Sequence, residues 1–221
     1  LGAAWDAMHR VPCVLEALMP LAFEVSVVVA RGADGEMVHL PVQQNLHRDG
    51  ILAVTQVPAP DADPAFQQRA IDAARHIASR LEHVGVLCVE FFVLRDGRLA
   101  ANEMAPRPHN SAHHSIDACD VSQFELQVRT LVGAPLVMPR LHSAAVMLNL
   151  LGDLWFAQGD SATEPRWHEL LALPGVHLHL YNKLSPRRGR KMGHLTVTAA
   201  DPLVAREVAL HAASVLGIES F

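Results

Sequence analysis

The 221-residue sequence predicts an α+β fold in which antiparallel hairpins are covered by amphipathic helices. Three observations predict it. Strand-like segments flank Asp34-Gly35, and two more flank Asp96-Gly97, a dipeptide that closes short hairpins. Residues 65–83 place Phe66, Ala70, Ala74, Ile77 and Leu81 at helical spacing, with Arg69, Asp72, Arg75 and Arg80 elsewhere. Hydrophobic residues make up 50% of the chain and charged residues 19%, enough for a sizeable core and too apolar for a disordered chain.

The elements follow in order. Residues 22–31 (AFEVSVVVAR) and 36–44 (EMVHLPVQQ) form the first hairpin, and a proline-rich loop at 58–64 precedes the helix. GVLCVEFFVL and RLAANEM form the second hairpin, followed by a polar loop, APRPHNSAHHS. A helix starts at Ser122, with Glu125 completing a capping box and Val121 and Leu126 a hydrophobic staple. Residues 144–151 and 176–182 read as strands, and a basic loop, SPRRGRKMGH, leads into another, LTVTA. The last helix opens at Asp201-Pro202 and closes at Gly217.

Several function classes are excluded. The net charge of -5 argues against a general nucleic-acid binder. The longest apolar runs are strand-sized, well short of the ~20 residues of a membrane span, and no signal peptide is visible. Cys13, Cys88 and Cys119 are odd in number and far apart, so they read as apolar fillers in a reducing cytoplasm. The chain begins at Leu1 rather than Met, which suggests a fragment.

The sharpest chemical feature is a pair of glutamates. A two-residue turn at Asp96-Gly97 makes Arg95 face Arg98, and counting back along both strands sets Glu90 opposite Glu103. Their Cβ atoms would lie ~5 Å apart on one face. Burying two carboxylates among Val89, Phe91 and Met104 is costly unless a cation lies between them or one is protonated. Hard oxygen ligands so spaced suit Mg²⁺, although two solvated glutamates on a wet face would read the same way. The same counting from Asp34-Gly35 sets Glu24 opposite Asn45 with His47 on the diagonal, a cluster fit for ribose or base, or a plain polar cluster.

The loop Arg107-Pro108-His109-Asn110-Ser111-Ala112-His113-His114 is rich in donors and could hold an oxyanion beside Glu90 and Glu103. A zinc site built from its histidines lacks any regular ligand spacing. Pro186-Arg187-Arg188-Gly189-Arg190-Lys191 gathers four cations, which suits a phosphate, or a solvated basic loop. His177 and His179 share a strand face and read as structural.

Together these motifs resemble the N(5)-carboxyaminoimidazole ribonucleotide synthases, ATP-grasp enzymes of purine synthesis. The strings that carry the resemblance are FEVSVVVARGADG, PVQQNLHRDGIL, VEFFV, NEMAPRPHNSAHHS, SQFELQVR, VHLHLYNK and GRKMGHLTV, in family order over about residues 11–198. The resemblance implies the main ATP-grasp lobe at 1–140, an antiparallel sheet with covering helices, and a small C-terminal domain at 141–221. It implies ATP- and bicarbonate-dependent carboxylation of 5-aminoimidazole ribonucleotide through carboxyphosphate, with Mg²⁺ as the metal, or Mn²⁺ in its place, and homodimerisation.

Residue roles come from the same resemblance. Glu16 and Leu18 correspond to the linker that contacts adenine, with Ala17 where the family usually has Gln. Glu24 and His47 correspond to nucleotide contacts, Glu90 and Glu103 to the magnesium ligands, and Asn102 to a neighbour of the triphosphate. Arg107, His109 and Asn110 correspond to the loop around bicarbonate or carboxyphosphate. Lys183, Arg190 and Lys191 correspond to cations for the substrate phosphate and the intermediate, a role Arg187 or Arg188 could share. The family's N-terminal Rossmann-like domain and glycine-rich phosphate loop have no counterpart here, so the isolated chain is expected not to turn over ATP. The alternatives are another ATP-grasp ligase, against which GRKMGH and APRPHNS argue, and a non-catalytic nucleotide-binding remnant.

Overall fold

The computed structural model describes residues 1–221. A short helix, α1 (Gly2–Ala7), and an extended segment lead into β1 (Leu21–Arg31). Then come β2 (Met37–His39), β3 (Gln43–Arg48), β4 (Ile51–Val57), α2 (Pro64–Arg80), β5 (Gly85–Leu94) and β6 (Leu99–Ala105). A 3-10 turn at Asn110–Ala112 and α3 (Ser115–Ala118) precede α4 (Gln123–Val132). The remainder holds β7 (Ala144–Leu151), a 3-10 turn at Gly152–Phe156, α5 (Trp167–Leu171), β8 (Val176–Leu180), β9 (Lys191–Ala199) and α6 (Pro202–Leu216). The strands form one sheet ordered β6-β5-β1-β3-β4-β7-β9-β8, with β2 paired to β1. Every pairing is antiparallel, as the α+β expectation requires.

The apolar run of β1 is buried on both faces. Val25, Val27 and Val29 pack with Leu87, Val89 and Phe91 under Phe66, Ala70 and Ala74 of α2. Val28 and Ala30 pack with Val86 and Cys88 under Leu126 of α4. A third cluster joins Leu148, Leu195 and Val197 to Ala205, Ala209 and Ala212 of α6. The period of two along β1 sends alternate residues to opposite layers, so Ser26 and, across the sheet, Glu90 fall on the α4 side.

Both hairpins depart from the expected turns, and each departure is cancelled. The second hairpin closes with Arg95-Asp96-Gly97, since Leu94 N–H donates to the Arg98 carbonyl and Gly97 takes a positive φ of 79°. That loop is one residue longer than expected. A bulge then leaves Asn102 extra on β6, and the pairing returns to Glu90 opposite Glu103. In the first hairpin Gly32 N–H donates to the Glu36 carbonyl, so three residues turn there too. An extra residue between β2 and β3 restores Glu24 opposite Asn45.

Other expectations are corrected. The segment 36–44 is two strands rather than one, broken at Pro41, which has no N–H to donate to a ladder. The strand β4 was not anticipated, although Asp49-Gly50 closes it onto β3 with both φ values positive (49° and 73°), the two-residue turn expected elsewhere. Ser122 caps α4 by accepting Glu125 N–H, but the Glu125 carboxylate pairs with Arg129 instead of completing the box. Leu81 lies beyond α2 and is exposed. Cys88 and Cys119 are buried as expected, whereas Cys13 is exposed. No helix is long and apolar enough to cross a membrane.

Gly152 fixes the basic loop. Its N–H donates to the Arg190 carbonyl at 2.8 Å, and a Cβ there would lie 2.1 Å from the Arg187 carbonyl oxygen. Gly152→Ala is expected to destabilise the chain by about 1–3 kcal/mol and to lower Tm by roughly 2–10 °C. A thermal melt that superimposes on wild type would contradict this.

Candidate metal, nucleotide and anion site

Glu90 stands mid-strand on β5, between Ser26 of β1 and Glu103 of β6. It is 8% exposed, and its Oε1 is buried without a hydrogen-bond partner. Burial raises its pKa above the usual carboxylate range, and the neighbouring carboxylates Glu103 and Glu24 add to that, while His47 and Lys191 oppose it. Glu103 itself is exposed. A buried acceptor with no donor, facing a second carboxylate, is the arrangement a hard cation resolves. Glu90 and Glu103 are a donor set that could hold Mg²⁺.

Beside it, His47 Nδ1 lies 2.5 Å from Glu24 Oε2. The Glu24 carboxylate raises the His47 pKa against the opposing effect of burial. Both residues line a cleft of about 380 Å³ with Phe23, Asn45, Leu46 and Gln56. This is the cluster that the hairpin register grouped. Glu16 and Leu18 lie in the exposed segment ahead of β1 and do not line this cleft, and Leu18 is fully exposed.

The polar loop supplies the opposite charge pattern. His109 approaches Glu90 Oε1 at 3.8 Å, but burial and the nearby Arg107 and Lys191 hold its pKa at about 4, so it is neutral. Its Nδ1 receives Ser111 N–H at 3.4 Å and lies 3.0 Å from Ser111 Oγ, which leaves the proton on Nε2. Asn110 Nδ2 is a buried donor without a partner. Asn102 is the exposed bulge residue next to Glu103.

The basic run divides. Lys191 opens β9 half-buried, its pKa lowered by burial and by Arg107 and Lys183, while Glu90 and Glu103 raise it. Lys183 Nζ donates to the Lys191 carbonyl. Arg190 instead holds Ser185 at 2.9 Å, and Arg188 stacks over Phe156 at 5.3 Å. The structure therefore gathers Glu24, His47, Glu90, Glu103, Arg107, His109 and Lys191 into one neighbourhood, with Lys183 behind Lys191. Arg188 faces away, and Arg190 is tied into its own loop.

A buried polar chain escaped sequence reasoning. Thr55 Oγ1 donates to Asn45 Oδ1, Asn45 Nδ2 to Ser26 Oγ, and Ser26 Oγ lies 2.9 Å from Ser111 Oγ. It links three strands to His109. The one available signal was a lone serine in the apolar run of β1.

A second cluster joins His194, His179, Tyr181 and Asp117. Tyr181 Oη and His194 Nδ1 share a hydrogen bond of 2.8 Å, and His179 Nε2 donates to Asp117 Oδ2 at 2.8 Å. Candidate ligand atoms of Asp117, His179 and His194 lie within 4.8 Å of one another. The two imidazoles stack 4.4 Å apart at 10°, however, and one ion cannot lie in both of two parallel ring planes. His177 also turns to Asp117 and Thr198, a structural role.

Comparison with known proteins decides the family. The ATP-grasp domain model matches residues 1–124, more than half of the chain. The chain belongs to the ATP-grasp family. The model of the phosphoribosylaminoimidazole carboxylase C-terminal domain matches residues 145–207. The N5-carboxyaminoimidazole ribonucleotide synthase of Brucella melitensis is 43% identical over 197 residues, 87% of this chain and 51% of the relative. That of Escherichia coli is 42% identical over 189 residues, 86% of this chain and 49% of the relative. The chain thus spans about half the length of the curated relatives it matches. Among solved structures, the Thermus thermophilus synthetase superposes with a TM-score of 0.86 at 34% identity, covering 99% of this chain and 57% of that one. An Aspergillus clavatus synthase in complex with ADP and 5-aminoimidazole ribonucleotide superposes with a TM-score of 0.81 at 29% identity, covering 90% of this chain and 53% of that one.

Burial sets the acid response of this ATP-grasp chain. His109, His113 and His114 are held at about 4, and His194 at about 3, from an ordinary 6.5. The folded values lie below the unfolded one, so this stability is whole above pH 6.5 and is lost as pH falls toward 4. Unfolding near pH 5 is expected to take up three to four protons at these sites, a slope on the order of 5 kcal/mol per pH unit. Denaturant titrations giving a flat stability between pH 7 and 5 would contradict it.

Proposed function

We propose that this chain supplies the metal-, nucleotide- and anion-holding part of an N5-carboxyaminoimidazole ribonucleotide synthase. The observation that carries the reading is the orphaned, buried Glu90 carboxylate facing Glu103, with an unpartnered Asn110 donor and the Lys191 ammonium beside it. An acceptor in need of a cation next to donors in need of an anion suits a metal–phosphate complex and a second oxyanion together. Relatives in complex with ATP, or with ADP and 5-aminoimidazole ribonucleotide, support the nucleotide and ribonucleotide substrates.

In this reading ATP, bicarbonate and 5-aminoimidazole ribonucleotide are the reactants. A bicarbonate oxygen attacks the γ-phosphorus, the bond to the bridging oxygen breaks, and ADP leaves with carboxyphosphate remaining. The exocyclic amine then attacks the carboxyl carbon, inorganic phosphate departs with the electron pair, and the amine loses its proton. Mg²⁺ bound by Glu90 and Glu103 would supply charge neutralisation at the phosphate oxygens. Glu24 and His47 hold the nucleotide within their cleft. Arg107, Asn110 and the Nε2–H of neutral His109 bind the oxyanion and shield it from water. Lys183 and Lys191 hold the substrate phosphate and the intermediate.

The protein bearing this chain, incubated with ATP, Mg²⁺, ¹³C-bicarbonate and 5-aminoimidazole ribonucleotide, is expected to release phosphate and form a ¹³C-carbamate in equal amounts. ATP cleavage indifferent to bicarbonate and to the ribonucleotide would contradict the reading. Glu90→Gln is expected to weaken Mg–nucleotide binding about tenfold or more, as loss of a charged ligand should. It should also raise the metal-free Tm, because it removes a carboxylate whose burial disfavours the charged form. The sign follows from the raised Glu90 pKa, which makes the ionised carboxylate a destabilising group as pH rises through its folded value. Unchanged magnesium dependence would sink the ligand assignment.

A further inference from the structure

The string SQFELQVR has one residue that capping does not explain. Gln123, the first residue of α4, is fully buried. Its Oε1 accepts His109 N–H at 2.7 Å, and its Nε2 donates to the His109 carbonyl at 2.8 Å. The carboxamide thus pairs with the main chain of His109 as a neighbouring strand would. The second Nε2 proton points at His113 Nδ1, 2.9 Å away. Three of the amide's four hydrogen-bonding positions are used, and only a carboxamide offers an acceptor and two donors in this arrangement.

Gln123 is itself fixed. Ser122 caps the helix by accepting Glu125 N–H, and Gln123 N–H donates to Ser115 Oγ at 3.1 Å, whose hydroxyl in turn donates to the Ala112 carbonyl at 2.6 Å. The anchor therefore spans the loop that carries His109, Asn110 and Ser111. His113, the other end of the clamp, lies 5.0 Å from the ring of His194 and meets Tyr181 edge-on at 6.3 Å, next to Lys183 and the start of β9.

We propose that Gln123 is a positioning residue: its buried carboxamide holds the His109 main chain in place and fixes the His113 imidazole as the Nε2–H tautomer, tying the anion-holding loop to the β8–β9 side of the sheet. Its activity consequence rests on the function proposed above, while its structural content does not. The clamp acts on His109 and Asn110, so its loss disturbs the bicarbonate end of the site more than the nucleotide cleft, which is built on β1 and β3.

Two readouts in the protein bearing this chain test the proposal. In wild type, ¹⁵N spectra are expected to show His113 as the Nε2–H tautomer and Gln123 side-chain protons protected from solvent exchange. Gln123→Glu keeps the shape but presents only acceptors, so His113 is expected to switch to the Nδ1–H tautomer. The same variant, and Gln123→Met, are expected to raise the KM for bicarbonate about tenfold while the KM for ATP stays within about twofold. Freely exchanging Gln123 side-chain protons in wild type would overturn the proposal without any variant needing to fold. An unmoved His113 tautomer in Gln123→Glu, or a parallel rise in both KM values, would overturn it too. A wild-type protein lacking bicarbonate-dependent ATP cleavage would defeat the proposed function instead, and the tautomer and exchange measurements would still decide this one.

Discussion

A carboxylate buried without a donor organises this molecule. Glu90 occupies β5, next to the edge strand β6, its Oε1 touches no hydrogen-bond donor, and Glu103 stands across from it. A buried carboxylate that faces a second one resists ionisation. The surroundings answer that constraint with cations held at the margin, Lys191 from β9 and His47 on its Glu24 partner, and none seated on the carboxylate itself. The pair is left ready for a metal, and the neighbouring loop for an anion.

The sheet makes this convergence possible. Its β5–β6 edge brings the carboxylates, β1 and β3 bring Glu24 and His47, and β9, reached through β4 and β7, begins at Lys191. The two segments matched by different family models are therefore parts of one continuous hydrogen-bonded sheet. The polar chain from Thr55 through Asn45, Ser26 and Ser111 and the Gln123 clamp fix the loop between them. Fully satisfied buried polar groups of this kind rigidify what they touch. The histidines of the site gain their character from the same burial, which keeps His109 and His113 neutral.

Much of this was legible in the sequence, for reasons that differ by residue. The apolar run of AFEVSVVVAR and the helical spacing from Phe66 are direct records of burial, and both survive in β1 and α2. The facing of Glu90 with Glu103 was also readable, though through two compensating differences: their hairpin has a longer turn and a bulge that offsets it. A glycine at positive φ marks the turn in sequence, but nothing local marks the bulge, whose place depends on which side chains must face the core. Pro41 breaks a strand for a local reason that could have been read. The Gln123 clamp and the Ser26–Ser111 contact could not be, because each joins residues far apart in sequence through a loop path set by the finished sheet. The split of the basic run was equally hidden, since Gly152 and Phe156, not the arginines themselves, decide where Arg187 and Arg188 lie.

The central claim is that a divalent cation sits between Glu90 and Glu103. Amide NMR signals followed during titration of the chain with Mn²⁺ and nucleotide test it most directly, because paramagnetic broadening reports distance from the ion. Broadening centred on Glu90 and Glu103, extending to Asn102 and His109 and competed away by Mg²⁺, is the expected result. Broadening centred on Asp117, His179 and His194, or none that Mg²⁺ removes, would contradict the account.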